Sequence, residues 1–183
     1  MSAGKAHGQD RDYQILCRNI LQTVGDPSLN PYSGDGIDVK FKIGGTEVTF
    51  DVALENNFGR LVVAESRRRN DVVKQEALFA FAHKVELLRQ VTSREVAGVF
   101  FAKRNFQLGA VKHATWSGID VIILNDGQTT TDFALAYHRY DAEREKRIRE
   151  GFVQMSGTLS MKGSLEIKVI RKDGREEDLG EIS

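Results

Sequence analysis

The sequence predicts an α/β domain with a central mixed β-sheet flanked by helices, followed by a small β appendage. Two observations predict this class. Apolar residues recur at every second position through 37–54, which is typical of antiparallel strands. Through 61–124, short apolar runs alternate with segments of helical periodicity, and strands connected through helices form a partly parallel sheet.

The composition limits the class of protein. The chain has 183 residues, and its 26 Lys and Arg balance 26 Asp and Glu, which excludes a histone-type basic protein but not a local basic surface. Cys17 is the only cysteine, so an internal disulfide framework and a cysteine-based zinc cluster are excluded. The first residues, MSAGKAHGQDRD, lack the apolar run of a signal peptide, and no stretch approaches about 20 apolar residues, so we expect a cytoplasmic protein without a membrane partner.

We expect a disordered tail over 1–10, the α/β domain over 11–152 and the appendage over 153–183. Within the domain, the apolar spacing predicts elements in this order: a helix over 12–24, strands over 37–43, 48–54 and 61–64, a helix over 72–91, a strand over 96–102, a helix over 106–117 and a strand over 119–124. An apolar start followed by the charged run DAEREKRIRE predicts a last helix over 131–152. The appendage alternates again, contains an Asp173-Gly174 hairpin signal, and is too short to fold alone.

Two carboxylates are predicted to lie side by side on the sheet. A hairpin that turns around Phe58 places Asp51 opposite Glu65, with Cβ atoms about 5 Å apart. Arg67 shares their face, while the apolar residues Phe50, Val52, Leu54, Val62 and Ala64 lie on the other. Adjacent carboxylates repel unless a cation lies between them. Either a divalent metal or Arg67, as a structural ion pair, would supply that charge.

The element order over 12–124 resembles the restriction-endonuclease-like nucleases, the PD-(D/E)xK superfamily, and in particular its Mrr-like branch. The similar segments are VVAESRRRNDVVKQEALFAFAHKVELL and GVFFAKRNFQLGAVKHATWSGIDVIIL. In the family pattern, a strand bearing Asp precedes a strand that ends in Glu-x-Lys. The matching positions are Asp51 and Glu65-Ser66-Arg67.

The resemblance implies a metal-dependent nuclease that hydrolyses phosphodiester bonds of DNA, with RNA as an alternative partner, in restriction, defence or repair. It implies that Asp51, Glu65 and the backbone carbonyl of Ser66 hold Mg²⁺ or Mn²⁺. Such an ion polarises the scissile phosphate and lowers the pKa of the attacking water.

The chain departs from the family pattern at two positions. Arg67 replaces the family lysine, and a guanidinium stays charged, so it orients phosphate but does not act as a general base. Lys74 is then a candidate for the missing ammonium. Gln14 occupies the first-helix position where the family often has Glu, and Gln75 is expected near the site. These departures leave a second function open: a catalytically degenerate nuclease-fold domain that binds nucleic acid or scaffolds a larger complex.

Basic residues cluster in two segments. Residues 60–74 carry five Lys and Arg against two acids, and residues 101–113 carry three and no acid. If strands 60–66 and 96–102 are neighbours, the clusters form one basic rim beside the carboxylates that holds phosphates. Its nucleic-acid-binding candidates are Arg60, Arg68, Arg69, Lys103, Arg104 and Lys112. Residues 173–183 are acidic and are expected to stay off the nucleic acid. The chain is short, so we expect a homodimer or a subunit of a larger assembly.

Overall fold

The structure is a computed structural model that describes residues 3–126, 132–138, 153–159, 165–170 and 176–182, with side chains described over 10–125. Its elements, in chain order, are α1 (Ala3–Ile20), a π-helical segment (Leu21–Gly25), β1 (Asn30–Pro31), β2 (Ile37–Ile43), β3 (Thr46–Glu55), β4 (Leu61–Arg67), α2 (Gln75–Thr92), β5 (Val96–Ala102), α3 (Leu108–Trp116), β6 (Ile119–Asp126), β7 (Asp132–His138), β8 (Val153–Leu159), β9 (Leu165–Ile170) and β10 (Glu176–Ile182).

The described strands form one mixed sheet in the order β1-β3-β4-β5-β6-β7-β8-β9-β10, with β2 paired to β3 beside that path. Strands β4, β5 and β6 are parallel, because each is connected to the next through a helix. The other pairs are antiparallel. The predicted α/β class with a central mixed sheet flanked by helices is therefore confirmed.

Helices cover both faces of the sheet between β2 and β6. On one face, α1 packs over a cluster that includes Val52, Leu54 and Phe101, and the Tyr13 hydroxyl donates to the carbonyl of Leu124 at 2.7 Å. On the other face, α2 and α3 pack over a second cluster centred on Phe81. Because both faces are buried, β5 reads as the continuous apolar run VAGVFFA rather than as an alternating strand. Among the described residues, no helix combines the length and apolar character needed to cross a membrane.

Two predicted elements differ in the structure. The predicted last helix is wrong over 132–138, which form β7, antiparallel to β6. The apolar residues there also alternate with period two, and pairing with β6 satisfies backbone groups that an edge strand would expose. The charged run 141–150 lies outside the described residues. Helix α1 begins at Ala3 and so includes much of the segment predicted as a disordered tail.

The predicted β appendage continues the main sheet. Strands β7 to β10 form an antiparallel meander that starts from β6, and β9 and β10 are neighbours, as the Asp173-Gly174 hairpin signal predicts. The turn itself lies outside the described residues. The division of the chain at 152 and 153 remains a prediction.

Candidate active site

The site lies where β3 and β4 separate. Their ladder runs from Glu55↔Leu61 to Val52↔Ala64, which is the register predicted from the turn at Phe58. Just beyond its end, the Asp51 carboxylate takes the place of a main-chain partner. Its Oδ2 accepts a hydrogen bond from the Ser66 N–H at 2.7 Å and another from the Ser66 hydroxyl at 2.9 Å.

The predicted distribution of side chains between the two faces is partly wrong. Val52 and Leu54 pack on the α1 side, but Phe50 packs on the α2 side. The alternation is interrupted at Asp51, because its neighbour on β2, Asp38, has a left-handed backbone with φ of 52° and is missing from the β2–β3 ladder. This irregularity is how Asp51 reaches Ser66, which the alternation placed on the opposite face.

The charge of Asp51 is poorly compensated. Burial raises the pKa of Asp51 above its usual range, two hydrogen bonds from Ser66 oppose that shift, and the charges of Glu65 and Asp38 add to it. In the described part of the chain, no hydrogen bond or ion pair reaches Oδ1 of Asp51. One oxygen of this carboxylate is therefore available for a cation.

Glu65 has the opposite environment. It is 8% exposed, and each of its oxygens accepts a hydrogen bond from a cation. Arg67 Nη2 lies 2.7 Å from Oε1, and Lys84 Nζ lies 2.9 Å from Oε2. The predicted Arg67–Glu65 pair is thus present, and α2 supplies a second cation. Both cations that contact the carboxylate pair, Arg67 and Lys84, therefore bind Glu65 and not Asp51.

Lys84 is the site residue that the sequence analysis missed. It lies in the helical stripe that also contains Phe81, Val85 and Leu88, the side of α2 that packs on the sheet. A lysine at such a position keeps its stem among apolar residues and extends its ammonium toward a partner. The sequence feature that could have identified Lys84 is therefore a single charged residue within an otherwise apolar helix face.

The basic rim is present on the same edge of the sheet. Because β4 and β5 are parallel, with Arg67 opposite Ala102, the segments that follow them leave the sheet side by side. The Lys103 N–H donates to the Arg67 carbonyl at 2.9 Å, and Val73 forms a bridge with Phe106. We define the rim as the basic residues of these two segments: Arg67, Arg68, Arg69, Lys74, Lys103 and Arg104.

Lys74 lies in this rim and not between the carboxylates. It lines a cavity of about 260 Å³ together with Arg67, Arg69 and Asp71. Among the described residues, the Lys74 side chain makes no hydrogen bond or ion pair. The ammonium that contacts Glu65 comes from Lys84 instead.

Two of the basic candidates lie elsewhere. Arg60 precedes β4 at the opposite end of the strand and pairs with Glu95 at 3.0 Å, so the expectation that it joins the rim is wrong. Lys112 lies on the exposed side of α3, one turn beyond the start of that helix at Leu108.

The two glutamine candidates make structural contacts. Gln14 donates from Nε2 to Asp38 Oδ1 at 3.0 Å, so it reaches the residue beside Asp51 rather than the carboxylate pair. The Gln75 side chain packs on Gly109 so closely that a Cβ there would collide with it. Gln75 therefore connects α2 to α3.

The residues present fit a single hard divalent ion. Among the described residues, no group of three or more His, Cys, Asp and Glu side chains is arranged to hold a metal. Mg²⁺ does not require one, because it binds through one or two carboxylates together with waters and phosphate oxygens. Oδ1 of Asp51 is available, two hydrogen bonds from Ser66 compensate the charge only in part, and Glu65 is its neighbour. For Glu65 to bind such an ion, Arg67 or Lys84 must release the Glu65 oxygen that it now holds.

No sequence profile of a known family and no curated protein matches the chain. Several solved structures resemble part of it. A repair endonuclease from Pyrococcus abyssi aligns at 19% identity and a TM-score of 0.45, covering 58% of this chain and 43% of its own. An EndoMS–dsDNA2 complex aligns at 21% identity and a TM-score of 0.43, and the alignment covers 58% of this chain and 41% of the other. A protein of unknown function, AF1548, aligns at 14% identity and a TM-score of 0.48, and the alignment covers 61% of this chain and 55% of the other. The chain thus spans about half of these proteins or less.

Proposed function

We propose that the chain is a divalent-metal-dependent nuclease that hydrolyses phosphodiester bonds of DNA, with Mg²⁺ or Mn²⁺ as its ion. The observation that supports this most directly is the asymmetry of the carboxylate pair. Asp51 is partly buried, and in the described part of the chain no cation contacts it and its Oδ1 makes no hydrogen bond, although it lies beside Glu65 and the basic rim. A purely structural ion-pair network would place a cation on that charge as well.

In this proposal, Asp51 and Glu65 would hold the ion, with the carbonyl of Ser66 as a further ligand. When bound, the ion polarises the scissile phosphate and lowers the pKa of the attacking water. The N–H and hydroxyl of Ser66 hold Oδ2 of Asp51, which leaves Oδ1 directed away from that contact. Arg67 uses one guanidinium nitrogen on Glu65, and its remaining donors can stabilise the charge that develops on the phosphate.

The rim positions the substrate strand. Its cations lie on the same sheet edge as the carboxylates, where they contact phosphates without reading bases. Arg69 and Lys74 line the same cavity as Arg67, so they would lie next to a phosphate that Arg67 contacts. We expect DNA affinity to fall with rising salt, because each phosphate contact releases counterions.

The test is a cleavage assay on plasmid and single-stranded DNA, with Mg²⁺, with Mn²⁺ and with chelator. Wild type is expected to cut only with metal, and Asp51→Asn to lose cutting while it retains DNA binding. Asp71→Asn is the matched control, because it removes an exposed carboxylate from the same edge but outside the pair. Cleavage by Asp51→Asn at the wild-type rate would refute the proposal.

One observation favours a second function, a catalytically degenerate domain that binds DNA or scaffolds a larger complex. Arg67 and Lys84 already satisfy both oxygens of Glu65. A wild type that binds DNA without cutting it, together with an Arg67→Lys variant that cuts, would establish this alternative.

A further inference from the structure

Lys84 contacts Glu65, one of the two carboxylates, and also the strand that carries the other. Its Nζ lies 2.9 Å from Oε2 of Glu65 and 3.4 Å from the carbonyl oxygen of Thr49. Thr49 belongs to β3, the strand that carries Asp51, whereas Glu65 belongs to β4. The ammonium therefore bridges the two strands at the point where they separate.

The two oxygens of Glu65 face different partners. Oε1 is held by Arg67 from the same strand, and Oε2 is held by Lys84 in a position that also contacts β3. An ion held by both Asp51 and Glu65 would need an oxygen of Glu65 that a cation now holds. Lys84 is the cation of Glu65 that also contacts β3, the strand of Asp51, so it is the one that such an ion would meet.

We propose that Lys84 is a resident counter-ion of Glu65 which a divalent metal must displace, so that the Lys84–Glu65 contact sets the metal affinity of the site. The proposal rests on the proposed function, since it takes Asp51 and Glu65 as metal ligands. It goes further by naming the group that competes with the metal.

Lys84 is better suited than Arg67 to be displaced. An ammonium is a strongly hydrated point charge on a flexible stem, whereas a guanidinium has a rigid fork that holds carboxylates well. The Lys84 side chain is 34% exposed and the Arg67 side chain 43%, so either head group can turn into water and the difference between them lies in the chemistry of the head group. Arg67 can keep Oε1 throughout.

The experiment titrates Mn²⁺ into the full chain and measures bound ion by electron paramagnetic resonance. Lys84→Met keeps an unbranched side chain in the apolar stripe but removes the competing charge, and is expected to bind Mn²⁺ at least tenfold more tightly. Lys84→Gln retains a hydrogen-bond donor without the charge and is expected to change affinity in the same direction. Lys74→Met is the matched control, because it removes a lysine of the same edge that does not contact Glu65, and is expected to leave the affinity nearly unchanged.

Unchanged or weaker Mn²⁺ binding in both Lys84 variants, with wild-type binding that Asp51→Asn abolishes, would overturn this proposal and leave the nuclease proposal standing. Failure of wild type and of both Lys84 variants to bind Mn²⁺ would overturn both. An equal gain in Lys74→Met would also overturn it, because the effect would then reflect net charge and not the Glu65 contact.

Discussion

Asp51 and Glu65 are neighbouring carboxylates with opposite surroundings, so neutralising each is predicted to change stability in opposite directions. Glu65 accepts hydrogen bonds from two cations, whereas Asp51 has a partly buried charge beside Glu65 and Asp38. We expect Asp51→Asn to stabilise the metal-free protein and Glu65→Gln to destabilise it.

The magnitudes follow from the contacts. Glu65→Gln weakens two hydrogen bonds to cations, each contributing about 1.5–3 kcal/mol, but one amide oxygen remains and both cations are partly exposed. A net loss of about 1–3 kcal/mol is expected. In Asp51→Asn, the amide oxygen can keep both Ser66 hydrogen bonds, so the change is the relief of unfavourable charge. A gain of about 1 kcal/mol is the usual scale for relaxing a destabilised active site.

The contribution of Asp51 to the free energy of unfolding is expected to fall as the pH rises. Because the pKa of Asp51 is raised in the folded state, folding favours the protonated carboxyl. Its contribution to stability is therefore present at low pH and falls as the pH rises from the ordinary carboxyl value through the raised one. Asp51→Asn removes this dependence, so its advantage over wild type grows through that window.

The assay is urea unfolding followed by circular dichroism in the presence of chelator, at pH 4 and pH 7. If Asp51→Asn were less stable than wild type at pH 7, the claim that its charge is uncompensated would be refuted. A Glu65→Gln variant as stable as wild type would refute the claim that Arg67 and Lys84 hold the other carboxylate.

Three further predictions test other parts of the structure. Ser66→Ala removes one of two hydrogen bonds that orient Asp51, and should lower metal affinity or cleavage about tenfold, measured by Mg²⁺ titration of the cleavage rate. Arg69→Ala should weaken DNA binding and reduce its salt slope by about one, whereas Arg60→Ala should not, as fluorescence anisotropy from 50 to 200 mM salt will show. Tyr13→Phe removes the hydroxyl that donates to the carbonyl of Leu124 and should cost about 0.5–1.5 kcal/mol in urea unfolding.

Local patterns predicted much of the fold. Alternation and turn signals were sufficient for β2, β3 and β4, and the turn at Phe58 gave the correct β3–β4 register. The 132–138 segment was misassigned because a short apolar run satisfies both helical and strand spacing, and only its pairing with β6 decides between them.

The site was harder to predict because its contacts combine distant elements. The sequence predicts Asp51 opposite Glu65, but the β3–β4 ladder ends one pair earlier, at Val52↔Ala64, and the contact of Asp51 with Ser66 lies next to the irregular backbone at Asp38. Lys84 lies 19 residues from Glu65 in the chain, and the packing of α2 decides whether it meets that carboxylate. Arg60 was grouped with the rim by sequence proximity, although it lies at the other end of its strand.

The central claim is that Asp51 and Glu65 form a shared metal site at the basic edge of the sheet. Its most direct test is anomalous diffraction from crystals of the full chain grown with Mn²⁺. We expect one anomalous peak within coordination distance of the carboxylates of Asp51 and Glu65. The absence of a peak there at saturating Mn²⁺, with Lys84 still bound to Oε2, would contradict it.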